Sequence, residues 1–187
     1  MTTVISGEWT NGDLLANVRL GRNTLVTGEH AFKRFRSTRD PGLVVGESCT
    51  MDGVHFAVGK NGFVEIGSFC YFTNAILLCE EAVTIGNYVV LGWNVTIADT
   101  DFHPLDPALR IADAIASSPL GKGKARPEIP RKPVFIEDDV WIGPNATILK
   151  GVRIGSGSFI EPGSLVTQSI PPRSRVLGNP AQIVGEP

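Results

Sequence analysis

Three histidines and three cysteines, with a scatter of carboxylates, are the side chains through which this sequence could do chemistry. His103 differs from the other histidines by its setting. It precedes Pro104 in the polar stretch ADTDFHPLDPALR, where an imidazole can take up and release a proton near neutral pH. Asp99 and Asp101 lie close enough in sequence to orient that ring, or else are solvent-facing turn residues. His30 and His55 are remote from it, and no two of the three form the close pair that a zinc site needs. Cys49, Cys70 and Cys79 are odd in number and lack C-x-x-C spacing, so neither a disulfide framework nor a zinc knuckle is indicated. They read as reduced, buried thiols.

Composition limits what can hold such a histidine. The 187 residues are 42% hydrophobic and 19% charged, which fits one globular domain with a small appendage. Glycine (21) and proline (13) exceed their usual shares of roughly 7% and 5%, which argues against a helical bundle. A net charge of −2 with an ordinary apolar content excludes a disordered chain and gives no reason to expect nucleic acid. No apolar run of about 18 residues occurs, and Glu8, Asp13 and Arg19 interrupt the beginning of the chain. The expectation is a soluble, cytoplasmic protein without a membrane span.

The element that positions His103 is a repeat. From Ile136 the chain reads IEDDVW, IGPNAT, ILKGVR, IGSGSF, IEPGSL, VTQSIP, with aliphatic residues at Ile136, Ile142, Ile148, Ile154, Ile160 and Val166. The fifth position of each unit is mostly small or β-branched, as in Val140, Ala146, Val152, Ser158 and Ser164. The period recurs at Ile66, Phe72 and Leu78, slips by a residue, and resumes at Ile85, Leu91 and Ile97, with weaker matches such as Val45 with Cys49 and Leu20 with Thr24. A six-residue period is no helical face, whose apolar positions recur at three and four. It fits a short strand plus a turn. Three units close a triangular coil of about eighteen residues, and coils stack with strands ~4.8 Å apart as a parallel β-helix, glycines at the corners. Cys49 and Cys70 fall on the small inward position, where core packing is their expected role.

Between Ile97 and Ile136 the period stops. Residues 103–133 form an excursion, and Asp106 followed by Pro107 predicts a short helix over 107–116. Beyond it, GKGKARPEIPRKP has the composition of an exposed, mobile arm able to reach a neighbouring subunit.

Repeat, V-W-I-G segment and His-Pro loop together resemble the hexapeptide-repeat acyltransferases, and within them the maltose- and galactoside-type sugar O-acetyltransferases. The resemblance covers roughly residues 18–184. It implies an all-β fold, a left-handed parallel β-helix over 18–187 with the 103–133 loop inserted and an N-terminal segment at 1–17. It further implies a homotrimer with active sites at subunit interfaces, and acetyl-CoA as co-substrate with no metal. By position the resemblance makes His103 the general base that takes the proton of an acceptor hydroxyl, so that acyl transfer proceeds in a ternary complex with a small sugar-like acceptor. Asn74 and Glu80 are the implied acceptor contacts, with Asn74 equally placed to cap a coil turn. Asp106 and Arg110 either bind acceptor or pin the loop. For coenzyme A the implied residues are Trp141, Gly143, Gly163, Gly178 and Pro180 along the C-terminal coils. Where many relatives have a phosphate-binding lysine after V-T, this chain has Gln168, and Arg173 and Arg175 could supply the charge instead. Pro144 follows W-I-G and has no N–H to offer an oxyanion.

Three other readings compete. Amino-sugar and antibiotic N-acetyltransferases share the loop signature. A trimeric scaffold or binding module would fit the Pro144 and Gln168 departures but leaves His103-Pro104 without a purpose. A γ-class carbonic anhydrase would use the same fold, but needs a histidine pair that the sequence does not display. The stretch AFKRFRSTRDPG at 31–42 is a basic insertion in the early coils, either acceptor-binding or a solvated loop.

Overall fold

A computed structural model describes residues 7–187; the first residues of the 1–17 segment lie outside the described part. Short strands fall into three sheets, one for each face of a triangular left-handed β-helix. The first face runs from Glu8–Trp9 through Thr50–Asp52, Tyr71–Thr73, Val90–Leu91 and Trp141–Ile142 to Phe159–Ile160. It closes with Arg175–Gly178, against which Ala181–Gly185 folds back antiparallel. The second face includes Leu43–Val45, Phe63–Ile66, Ala82–Ile85, Val134–Ile136 and Arg153–Ile154. The third comprises His55–Val58, Ile76–Cys79, Thr96–Ala98, Thr147–Ile148 and Leu165–Val166.

Parallel register stacks the repeat into columns. Val45, Ile66, Ile85, Ile136 and Ile154 form one, and Met51, Phe72, Leu91, Ile142 and Ile160 another, all at most 2% exposed. The third column is Phe56, Leu77, Ile97, Ile148 and Val166. It corrects the sequence register, because Leu77 and not Leu78 points inward, while Leu78 faces outward beside Ala98. The hexad shortens by one residue at the Asn74 turn, where φ is +48°, and the corner spanning 80–82 then adds two.

Corners also differ from expectation. Between the second and first faces, Asn23, Ser48, Phe69, Tyr88, Asp139, Gly157 and Arg173 all take positive φ, and only one of these is glycine. The glycines just before them serve another purpose. A Cβ on Gly46 would sit 2.6 Å from the backbone of Gly67, and one on Gly67 would sit 2.6 Å from that of Gly86, so coils stack there backbone on backbone.

The excursion leaves the third face after Ala98 and returns to the second at Val134. Its two ends are tied: Asp101 N donates to Pro130 O, Lys132 N donates to Asp99 O, and Thr100 bridges Arg131. Helix α1 spans Pro107–Ser117 and is capped by Asp106, whose carboxylate accepts from Leu109 N at 2.9 Å, as the Asp-Pro start predicts. Among the described residues no helix is long and apolar enough to cross a membrane.

Candidate active site

One residue of α1 is buried, and it is charged. Asp113 is fully enclosed while Leu109, Ile111 and Ile115 on the same helix are exposed. The reason lies in what its carboxylate holds. Its Oδ2 is 2.6 Å from His103 Nδ1, and Arg126 closes on it from the other side, Nε to Oδ1 at 2.6 Å and Nη2 to Oδ2 at 3.0 Å. Arg126 also donates to the carbonyl of Phe102, the residue before the histidine, which takes φ +65°. The Arg126 guanidinium foremost, and then the imidazole, hold the Asp113 carboxyl at about 2 against the opposing effect of burial. An ionised carboxylate only accepts, so His103 must present Nδ1–H to it and leave Nε2 as the free lone pair. The ring remains 60% exposed, so that lone pair is open to a bound molecule. The arrangement fixes the tautomer of the imidazole and turns its free Nε2 outward.

Neither nearby aspartate orients the ring. Asp99 is fully buried and accepts from Glu80 N at 2.8 Å, Glu81 N at 2.7 Å and Ala82 N at 2.9 Å, supplying partners for the corner where the hexad slips. Burial pushes its carboxyl up, opposed by those three N–H groups. Asp101 pairs with Lys150 at 2.7 Å, fastening the base of the excursion to the next coil. Asp113 and Arg126 escaped the sequence reading. Arg126 lies in the stretch expected to be a mobile arm, and the one available signal was a carboxylate inside the apolar run LRIADAIA.

The expected acceptor residues divide between two corners. Glu80 is exposed at the corner between the third and second faces, where the excursion leaves, and its carboxylate acts electrostatically on Arg126. Asp106 caps α1, and Arg110 donates to Leu105 O at 2.7 Å, so both are engaged within the loop. Asn74 sits at the opposite end of the third face, its amide lying over Gly53 of the preceding coil.

The expected coenzyme residues are also dispersed. Gly143 and Gly163 share the first–third corner with Asn74; a Cβ on Gly143 would meet Pro162 N at 2.6 Å, whereas Gly163 faces open space. Pro144 has no N–H, and its carbonyl accepts from Gly163 N. Trp141 lies outward on the first face, stacked on Phe159 with centroids 4.3 Å apart. Arg175 follows in the same row, bound to Glu161. Gly178 and Pro180 belong to the terminal hairpin, and Arg173 stands at the second–first corner, a face away from Gly163. Within one chain, therefore, His103 and these residues occupy different corners. Among the described residues no group of three or more His, Cys, Asp or Glu could hold a metal ion. The fold does bring His30 and His55 together, ring centroids 6.3 Å apart, a pairing that their spacing in sequence hides.

A coil of parallel hexads with a histidine presented on one tied-down excursion defines a hexapeptide-repeat β-helix. Residues 133–168 match the model of the bacterial transferase hexapeptide (six repeats) family. Galactoside O-acetyltransferase of Lactococcus lactis is 36% identical over 74% of this chain and 60% of its own length. Galactoside O-acetyltransferase of Escherichia coli is 32% identical over 82% of this chain and 68% of its own. A hexapeptide-repeat acetyltransferase of Vibrio cholerae, solved with acetyl coenzyme A, superposes with a TM-score of 0.63 at 30% identity, covering 84% of this chain and 75% of that one. The chain belongs to the hexapeptide-repeat acetyltransferase family. It spans 60% of the length of the Lactococcus relative.

Proposed function

We propose that this protein transfers the acetyl group of acetyl-CoA to a hydroxyl of a sugar or glycan precursor, with His103 as general base. The observation that carries the reading is the exposed imidazole held at Nδ1 by a fully buried carboxylate, itself clamped by Arg126. In the step proposed, Nε2 takes the hydroxyl proton while the acceptor oxygen attacks the thioester carbonyl. The tetrahedral intermediate then collapses, the C–S bond breaks, and the departing thiolate regains the proton from the imidazolium. No covalent enzyme intermediate is required, and Asp113 balances the transient charge on the ring. Because Pro144 offers no N–H, oxyanion stabilisation falls to another donor or to water.

Coenzyme A is assigned to Trp141, Gly143, Gly163, Gly178 and Pro180, with Arg173 and Arg175 toward its phosphates, and the acceptor to Asn74 and Glu80. Asp106 and Arg110 contribute by shaping the loop. Since His103 and Gly163 stand at different corners of one chain, the reading includes a homotrimer in which one protomer's excursion meets a neighbour's corner. Exposed Leu105, Ile111 and Leu120 on the excursion, up to 92% exposed, support that docking. The relatives named as galactoside O-acetyltransferases favour a hydroxyl acceptor over an amine. The test is acceptor-dependent thiol release from acetyl-CoA across sugars, nucleotide sugars and amino sugars, with product mass identifying the acetylated molecule. Release with a hydroxyl-bearing acceptor is expected. No release with any acceptor, together with no acetyl-CoA binding, would sink the reading.

A further inference from the structure

The basic insertion is a built element and not a solvated loop. Ala31 and Phe32 are buried, and the Phe32 ring meets Trp9 edge-on at 5.0 Å, stacks on Phe56 at 5.5 Å and abuts Phe35 at 5.9 Å. Its backbone is bonded to the outer strand of the third face: Phe56 N donates to Ala31 O at 2.9 Å and Arg36 N to Val58 O at 2.7 Å. With the apolar side chains held inward, His30, Lys33 and Arg34 are left pointing out.

They line a cavity of about 360 Å³ together with His55, which extends from the adjoining strand. Its floor is apolar, made by the outward side chains of Ala57, Ile76 and Leu78, and no carboxylate lines it. Neither Lys33 nor Arg34 has a carboxylate partner among the ion pairs of the described residues. Such a concentration of positive and imidazole groups is out of character for a chain whose net charge is −2. It costs self-repulsion unless an anion comes to it. Register fixes its distance from the catalytic loop. Leu78 on the floor is the in-register neighbour of Ala98, the last residue before the excursion, so the cavity and the root of the His103 loop are one strand spacing, ~4.8 Å, apart on the same face.

We propose that this cavity binds a phosphate group of the acceptor, so that the substrate is a phosphorylated or nucleotide-linked sugar. The proposal rests on the acetyltransferase reading above. Lys33 and Arg34, with His30 and His55, take the phosphate oxygens through charge-assisted hydrogen bonds, while the apolar floor receives a ring face. The geometry leaves the sugar between the cavity and the excursion.

The test separates binding from turnover. Glucose 1-phosphate, UDP-glucose and methyl glucoside are titrated calorimetrically into the full-length protein, into His103→Ala, and into the double variant Lys33→Ser with Arg34→Ser; acetyl-CoA is titrated into all three. Both phosphorylated probes are expected to bind wild type and His103→Ala at least tenfold more tightly than methyl glucoside does, the two probes ranking whether a monophosphate or a nucleotide diphosphate is preferred. The double variant should lose that advantage while retaining its acetyl-CoA affinity, which also shows that it is folded; His55→Gln should weaken phosphate binding less. Equal binding of all three probes, or an advantage undiminished in the double variant, overturns the proposal without touching the acetyltransferase reading. A double variant that loses acetyl-CoA affinity while its circular dichroism is unchanged would assign the cavity to the coenzyme's phosphates and equally overturn it.

Discussion

Asp113 holds the His103 ring at Nδ1, which in the proposed reaction makes it a positioning residue, and its removal tests whether the imidazole depends on it. Asp113→Asn keeps the size of the side chain but exchanges an acceptor oxygen for an N–H₂ between Arg126 and His103. It should lower kcat by about 10²-fold or more while leaving the KM for acetyl-CoA within a few-fold of wild type, because the ring loses its fixed tautomer and not its place. An effect on KM alone would make Asp113 structural. The folded carboxyl, at about 2, lies below its ordinary unfolded value of ~3.9. Its contribution is therefore complete above pH ~4 and lost as pH falls through about 2. Hydrogen exchange in α1 should accordingly show constant protection from neutral pH down to about 4. His103 stands out in the sequence, through a His-Pro pair at a break in the period. It does not reveal Asp113 or Arg126, which lie 10 and 13 residues apart from their partners along an aperiodic loop and meet only when the loop folds.

At the scale of the element, the same contrast holds between what repeats and what does not. Buried columns from Ile136 to Val166 were legible because each inward position recurs every six residues and only a stacked coil buries them all. Where the hexad slips, at Leu77, sequence gives no rule for which residue turns inward; the choice is made by the Asn74 turn and by the Asp99 carboxylate satisfying three N–H groups. Glycines at the corners were visible but their purpose was not, since it depends on the backbone of the next coil. Asp99→Asn should thus destabilise the chain by about 1–3 kcal/mol, as an amide N–H₂ would face backbone donors in a fully buried site. Denaturant unfolding measures it; a change under about 0.5 kcal/mol would contradict the assigned role.

For the whole molecule, the excursion bearing His103 leaves from the third–second corner, whereas the coenzyme residues proposed at Gly143 and Gly163 stand at the first–third corner. Assembly would solve this by geometry, and the excursion's outward Leu105, Ile111 and Leu120 are what a neighbour would cover. Sedimentation should give three times the 20.0 kDa chain mass, and Ile111→Asp should yield folded protomers with little activity. A folded, fully active monomer would refute interfacial sites. Oligomer and acceptor are the least legible parts, because both depend on surfaces with no period.

The most direct test of the account is thiol release from acetyl-CoA, with a competent acceptor, by wild type and His103→Ala, with acetyl-CoA binding measured on both. The account predicts a loss of about 10²–10⁴-fold in kcat with coenzyme binding retained. A variant that turns over at the wild-type rate would contradict the assignment of His103 as the base.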